Sequence, residues 1–176
     1  AYPAPPATET APYGSLILCT IPTPDGSGAT IHPSVVDMGT QFNGYRWWMA
    51  NTPYPNQSEP LENPCIYGSN DRVNWEVPAG LTNPIDPWPA EGLDPPPRRY
   101  NSDTVLAWDP DQGRFVCYYR EFHDDEGGYT AIRARWSANG VAWSDELTML
   151  ETTWASGFSA VPSVVRRGPG DWVLLI

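Results

Sequence analysis

The chain has 176 residues with 21 Pro, 15 Gly, 9 Trp and 9 Tyr, and all ten of its basic residues are Arg. That much Pro and Gly excludes helical bundles and coiled coils, while 40% hydrophobic and 12% aromatic residues are too many for a disordered linker. A net charge of −11, with no basic run beyond Arg98-Arg99 and Arg166-Arg167, argues against nucleic acid as a partner, and no apolar run approaches the ~20 residues that cross a bilayer, so no membrane insertion is expected.

Residues 1–14, AYPAPPATETAPYG, read as an extended Pro-rich arm, without the charged and then apolar pattern of a leader. A chain that opens on Ala1 rather than Met reads as processed or partial. Residues 15–30 follow as a short strand, Ser15–Thr20, and a loop, IPTPDGSGAT. Cys19, Cys65 and Cys117 stand singly and in odd number, which suits small buried apolar residues better than a disulfide framework or a metal site.

From Ile31 the chain repeats itself. HPSVVDMGTQFNGYRWWMAN aligns with SDTVLAWDPDQGRFVCYYRE, Pro33 matching Asp103, and SNDRVNW (Ser69–Trp75) aligns with SANGVAW (Ser137–Trp143). A third copy begins at VPSVVRRGPGDWVLLI. The first unit is expected to hold strands at Ser34–Asp37, Tyr45–Asn51, Pro64–Ser69 and Asn74–Val77. The second is expected to hold them at Thr104–Trp108, Arg114–Glu121, Tyr129–Trp136 and Val141–Met149. GTQFNG and DPDQG carry the residues of tight hairpin turns, and strands such as RFVCYYRE are apolar on both faces, as in a sheet packed between two others. These features predict an all-β fold, a β-propeller segment of about two and a half four-stranded blades from a five-bladed ring. The units would run 31–102, 103–160 and 161–176, with further chain or partner chains completing the ring. A β-sandwich with coincidental repeats is the alternative.

The repeated S-x-[DN]-x-x-x-W resembles the blade motif of five-bladed glycosidase-like propellers, the arabinanase, xylosidase and invertase group. The first unit, with HPSVV, GYRWWMANTPYPN, ENPCIYGSND and NWEVPAGLTNPI, is similar to a propeller type found in secreted bacterial proteins and bacteriophage tail or fibre proteins. The resemblance implies a sugar-binding face. Chain direction in such a fold puts the S-x-[DN]-x-x-x-W turns on the opposite face, where Ser and Asp or Asn would satisfy turn amides and Trp would pack.

The functional face would collect His32, Asp103, the loop 51–62, the acidic loop 121–128 and the connection 78–102. Aromatic rings stack on sugar faces and carboxylates accept hydroxyl hydrogen bonds, so His32, Tyr54, Tyr100, His123 and Trp154 are candidate ligand contacts. Glycoside hydrolysis needs paired carboxylates, for which Asp103, Glu62 and Glu121 are the candidates. Asp103 begins an inner strand, although its plainer role is to cap that strand. No cofactor is expected. HDDEGG (123–128) is the cation candidate, for calcium, with a solvated acidic turn as its preferred reading, and DPDQG reads as a hairpin turn.

The function implied is a glycan-recognition module of an extracellular or virion-surface protein of phage tail or fibre type. Its partners would be a glycan or cell-surface polysaccharide and other virion or cell-surface proteins. A secreted glycoside hydrolase and a purely structural virion protein are the alternatives.

Overall fold

The computed structural model describes residues 18–87, 99–124, 128–153, 155 and 161–176. Among the described residues nine strands run in chain order: β1 (Thr30–Phe42), β2 (Tyr45–Pro53), β3 (Cys65–Ser69), β4 (Arg99–Asp109), β5 (Arg114–His123), β6 (Tyr129–Ser137), β7 (Leu147–Thr153), β8 (Ser163–Gly168) and β9 (Asp171–Leu175). They form three antiparallel meanders, ordered β1-β2-β3, β4-β5-β6-β7 and β8-β9. Two short 3-10 turns, Pro55–Gln57 and Glu59–Leu61, lie between β2 and β3.

This arrangement corrects the expected fold class. The described strands make three separate open sheets of three, four and two strands, and no five-bladed ring closes. The four-strands-per-unit reading fails first at Asn74–Val77, which forms only isolated bridges, Thr20 with Asn74 and Gly68 with Glu76. Its backbone is engaged elsewhere: Asp71 Oδ1 accepts the amides of Val73 and Asn74, and Pro78 has no amide to continue a ladder. The last strand of the second unit likewise starts at Leu147 rather than Val141, because Asn139 Oδ1 takes the amides of Val141 and Ala142.

Both S-x-[DN]-x-x-x-W segments are structural turns, as their composition suggests. Ser69 Oγ accepts the amides of Asp71 and Arg72 at 3.2 and 2.9 Å, and Ser137 Oγ accepts those of Asn139 and Gly140 at 3.3 and 2.8 Å. Each motif tryptophan ties the turn from its far end: Trp75 Nε1 donates to the Arg72 carbonyl and Trp143 Nε1 to the Gly140 carbonyl, both at 3.2 Å. Removing the side-chain acceptor strands two amides, so Asn139→Ala is expected to cost about 1–2 kcal/mol, read as a lowered urea midpoint with unchanged m. An unchanged midpoint would show that water replaces Asn139 at no cost.

The main core joins the first two sheets. Trp48, Ala50 and Ile66 of the first pack with Leu106, Phe115, Cys117 and Tyr119 of the second, with Ile85 between them. Aromatic rings knit the contact, Trp48 to Phe115 at 5.0 Å and Trp108 to Phe115 at 4.9 Å between centroids. This packing covers one face of β2 and of β5; on the other face of β2, Met49 packs with Cys65, Tyr67 and Trp75, and the other face of β5 is half-buried. Cys65 and Cys117 are buried, but Cys19 is exposed, against expectation, with its thiol donating to the Arg72 carbonyl. DPDQG is the β4–β5 hairpin turn, and its Asp111 also anchors the third sheet by accepting Arg166 Nη2 and the Gly170 amide, each at 2.9 Å.

Candidate functional site

β1 and β4 run side by side: Ser34 Oγ accepts the Leu106 amide at 3.0 Å, and Thr104 Oγ1 donates to the His32 carbonyl at 3.2 Å. Each strand is interrupted near its start by an irregularity in pairing, between Ile31 and Ser34 in β1 and between Ser102 and Val105 in β4. The first residue of each interruption, His32 and Asp103, has left-handed backbone, with φ of 54° and 57°. Such a conformation costs a non-glycine residue on the order of 1–2 kcal/mol and redirects its side chain. The repeat therefore matches His32 with Asp103, one residue from the Pro33–Asp103 match that the sequence suggests, and the two side chains meet: His32 Nε2 lies 3.2 Å from Asp103 Oδ1.

Glu62 enters from the other side. It ends the second 3-10 turn, where its amide donates to the Glu59 carbonyl and its own carbonyl accepts the Asn101 amide. Its Oε2 accepts the Thr52 hydroxyl at 3.2 Å and lies 3.7 Å from His32 Nδ1. Glu62 and Asp103 are 4% and 3% exposed, whereas the His32 side chain is 39% exposed, so the imidazole is the part of the cluster that solvent reaches. Burial, reinforced by the negative charge of Asp103, pushes the Glu62 carboxyl up to about 8, against smaller downward effects of Thr52 and Arg120. On the remaining side, Arg120 Nε reaches Asp103 Oδ2 at 2.9 Å, and Ser102 Oγ donates to the same oxygen at 2.9 Å.

Glu121 does not join this cluster. Alternation along β5 places it with Phe115, Cys117 and Tyr119 on the face opposite Arg120. Its Oε1 meets His123 Nε2 at 2.5 Å and accepts Tyr129 Oη at 2.6 Å, while Oε2 accepts Arg133 Nε at 2.5 Å. Burial raises the Glu121 carboxyl, but the bonds from Arg133, Tyr129 and His123 outweigh it and the net shift is downward. His123 is buried and stacked on Tyr129 at 4.0 Å, and Tyr100 is buried and stacked on Phe122 at 4.8 Å, so both rings are occupied by protein. Tyr54 is half-buried at the start of the turns that carry Glu62, its amide donating to the Ala29 carbonyl. Trp154 lies outside the described residues, as do residues 125–127 of HDDEGG. Among the described residues no three His, Cys, Asp or Glu side chains are gathered as a metal site requires, and His32 turns its two ring nitrogens to two different carboxylates.

Sequence reasoning overlooked Arg120, Ser102 and Thr52. The signal for Arg120 was present, since an arginine inside a strand with two apolar faces needs a buried counter-ion.

No protein-family model matches the chain. Among curated proteins it is similar to an A type blood N-acetyl-alpha-D-galactosamine deacetylase of Flavonifractor plautii, 34% identical over 148 residues that make up 82% of this chain and 18% of that protein. Among solved structures it is similar to an N-acetylgalactosamine deacetylase from F. plautii crystallised in complex with blood group B trisaccharide. The match has a TM-score of 0.58 and 27% identity, over 85% of this chain and 38% of that one. The chain therefore spans well under half the length of either relative.

These likenesses overturn the resemblance to glycosidase-like propellers of phage tail or fibre proteins, and with it the reading as a virion-surface recognition module or virion protein. The relatives are bacterial enzymes that act on a sugar. Short apolar strands and Ser-Asx-Trp turns recur in many repeated β-meanders because they solve a packing problem, so they carry no information about the reaction.

Proposed function

We propose that the chain carries the hydrolytic centre of an extracellular carbohydrate-active enzyme that removes the acetyl group from an N-acetylamino sugar of a glycan. The observation that carries the reading is the carboxyl of Glu62, buried beside His32 and Asp103, where burial and the charge of Asp103 raise its pKa. The activity named for the relatives supplies the substrate class.

Amide hydrolysis needs an activated water and a proton for a poor leaving nitrogen. Asp103 Oδ1 orients His32 by taking its Nε2–H, which leaves Nδ1 free as a base on the side of Glu62. The 3.7 Å between Nδ1 and Glu62 Oε2 is too long for a good hydrogen bond, so both atoms keep their capacity for a substrate seated against the pair. His32 takes a proton from water as the water oxygen bonds to the acetyl carbon. Glu62 gives its proton to the nitrogen as the carbon–nitrogen bond breaks, releasing acetate and a free amino sugar. The proton on His32 then returns Glu62 to its starting state. Tyr54, on the segment leading to Glu62, would contact the sugar, while Glu121 and His123 hold the second sheet together.

Two carboxylates flanking one site also suit glycoside hydrolysis. Product analysis on an N-acetylgalactosaminide, the matching amine and the matching plain galactoside separates the readings. Acetate from the first sugar alone is the expected result. New reducing ends would assign the site to glycoside cleavage, and no product from any of the three sugars would count against hydrolysis altogether.

A further inference from the structure

We propose that Arg120 is the positioning residue of this site: with Ser102 it locks Oδ2 of Asp103 so that Oδ1 is left for His32, and its guanidinium is the cation of the Asp103–Glu62 cluster. The inference rests on the hydrolytic reading and adds to it a residue that need not touch substrate. Arg120 Nε lies 2.9 Å from Asp103 Oδ2, and Nε and Nη2 reach Ser102 Oγ at 3.3 and 3.1 Å. Ser102 Oγ donates in turn to Asp103 Oδ2 at 2.9 Å, so the three groups form a closed triangle around one carboxylate oxygen. Only Oδ1 remains for the imidazole, at 3.2 Å from His32 Nε2.

The same guanidinium acts on Glu62 at longer range. The groups around that carboxyl are His32 on β1, Thr52 on β2, Glu59 on its own turn, Asp103 on β4 and Arg120 on β5. Asp103 and Glu59 oppose its ionisation, and Arg120 is the cation that favours it. Arg120 supports a left-handed Asp103, whose conformation nothing in its own residue type favours strongly enough to hold alone. A side chain that holds a reacting group without touching substrate typically changes activity by about 10–100-fold.

The test uses the full chain with Arg120→Gln, Arg120→Lys and Ser102→Ala, read by kcat, KM, the pH profile of kcat/KM and carboxyl-carbon NMR titration of Glu62. Arg120→Gln should lower kcat about tenfold or more with little change in KM, and should move the alkaline limb and the Glu62 midpoint to higher pH. Arg120→Lys should restore the limb but only part of kcat, because an ammonium lacks the planar fork. Ser102→Ala should lower kcat and leave the limb in place. An unmoved Glu62 midpoint in Arg120→Gln, or identical behaviour of the Gln and Lys variants, would overturn the proposal. The titration requires no turnover, so it decides the role of Arg120 even if no sugar is deacetylated, a result that would instead sink the hydrolytic reading.

Discussion

Glu62→Gln is expected to reduce kcat/KM for deacetylation by about a hundredfold or more, and to make the folded chain more stable at alkaline pH. Both effects come from one proton. The folded carboxyl holds it up to about 8, whereas in the unfolded chain Glu62 loses it near the ordinary glutamate value. Between those values the native state binds more protons than the unfolded state, so stability falls as pH rises through the window, by on the order of a few kcal/mol. Glutamine is neutral throughout, keeps an oxygen for the Thr52 hydroxyl and escapes that decline, but it has no proton to give. Denaturation at about pH 4 and about pH 9 should show similar midpoints for both proteins at the lower pH, where Glu62 is protonated in folded and unfolded chain alike, and a higher midpoint for the variant at the upper. A variant that loses stability equally at both would mean that Glu62 ionises in the fold at its usual pH, and retained turnover would remove it from the mechanism.

Gly140→Ala is expected to destabilise the fold by about 3 kcal/mol. Gly140 adopts φ of +74°, and a Cβ there would lie 2.2 Å from Trp48 Cζ3 and 2.4 Å from Cη2. The indole cannot step aside, because it is fully buried between Tyr45 at 5.5 Å and Phe115 at 5.0 Å. The turn after β6 therefore packs directly on the core ring of the first sheet, which explains why Gly follows Asn139 in the second Ser-Asx-Trp segment. Gly113→Ala provides the control: its φ is +61° but nothing lies within 4 Å of the added carbon, so only the backbone term of about 1 kcal/mol applies. Equal urea midpoints for the two variants would show that the Trp48 contact yields freely.

Much of the strand pattern was legible because hydrophobic alternation and turn residues act locally. Tyr45–Asn51, Arg114–Glu121 and Tyr129–Trp136 all lie within observed strands, β2, β5 and β6. Both Ser-Asx-Trp turns could be read as structural because their hydrogen bonds are formed within a few residues. The limits of β1 and β4 were not legible. The irregularities at His32 and Asp103 break the alternation, so the strands continue upstream of the point where the pattern stops, and a match that ignores them slips by one residue. That slip hid the pairing of His32 with Asp103. Arg120 and Thr52 escaped notice for a different reason: the pattern of β5 signals that Arg120 needs a counter-ion, but that Asp103 meets it depends on the irregular β4–β5 register, and that Thr52 meets Glu62 depends on the 3-10 turns folding back on β2. The loop 51–62 was marked as functional from its position, but the burial that perturbs Glu62 exists only once β2, β4 and the 3-10 turns enclose it. The closed ring was an extrapolation from repetition, and repetition specifies a unit without specifying how units assemble.

Hydrolysis of an N-acetylgalactosaminide in heavy-oxygen water by the full chain, with mass analysis of both products, tests the central claim most directly. The proposed reaction puts the label in acetate and none in the sugar, and Glu62→Gln should abolish its appearance. Label at the anomeric carbon would contradict the account by showing that the His32–Glu62–Asp103 site cuts glycosidic bonds, and undiminished label in acetate from the variant would show that the reaction takes place elsewhere.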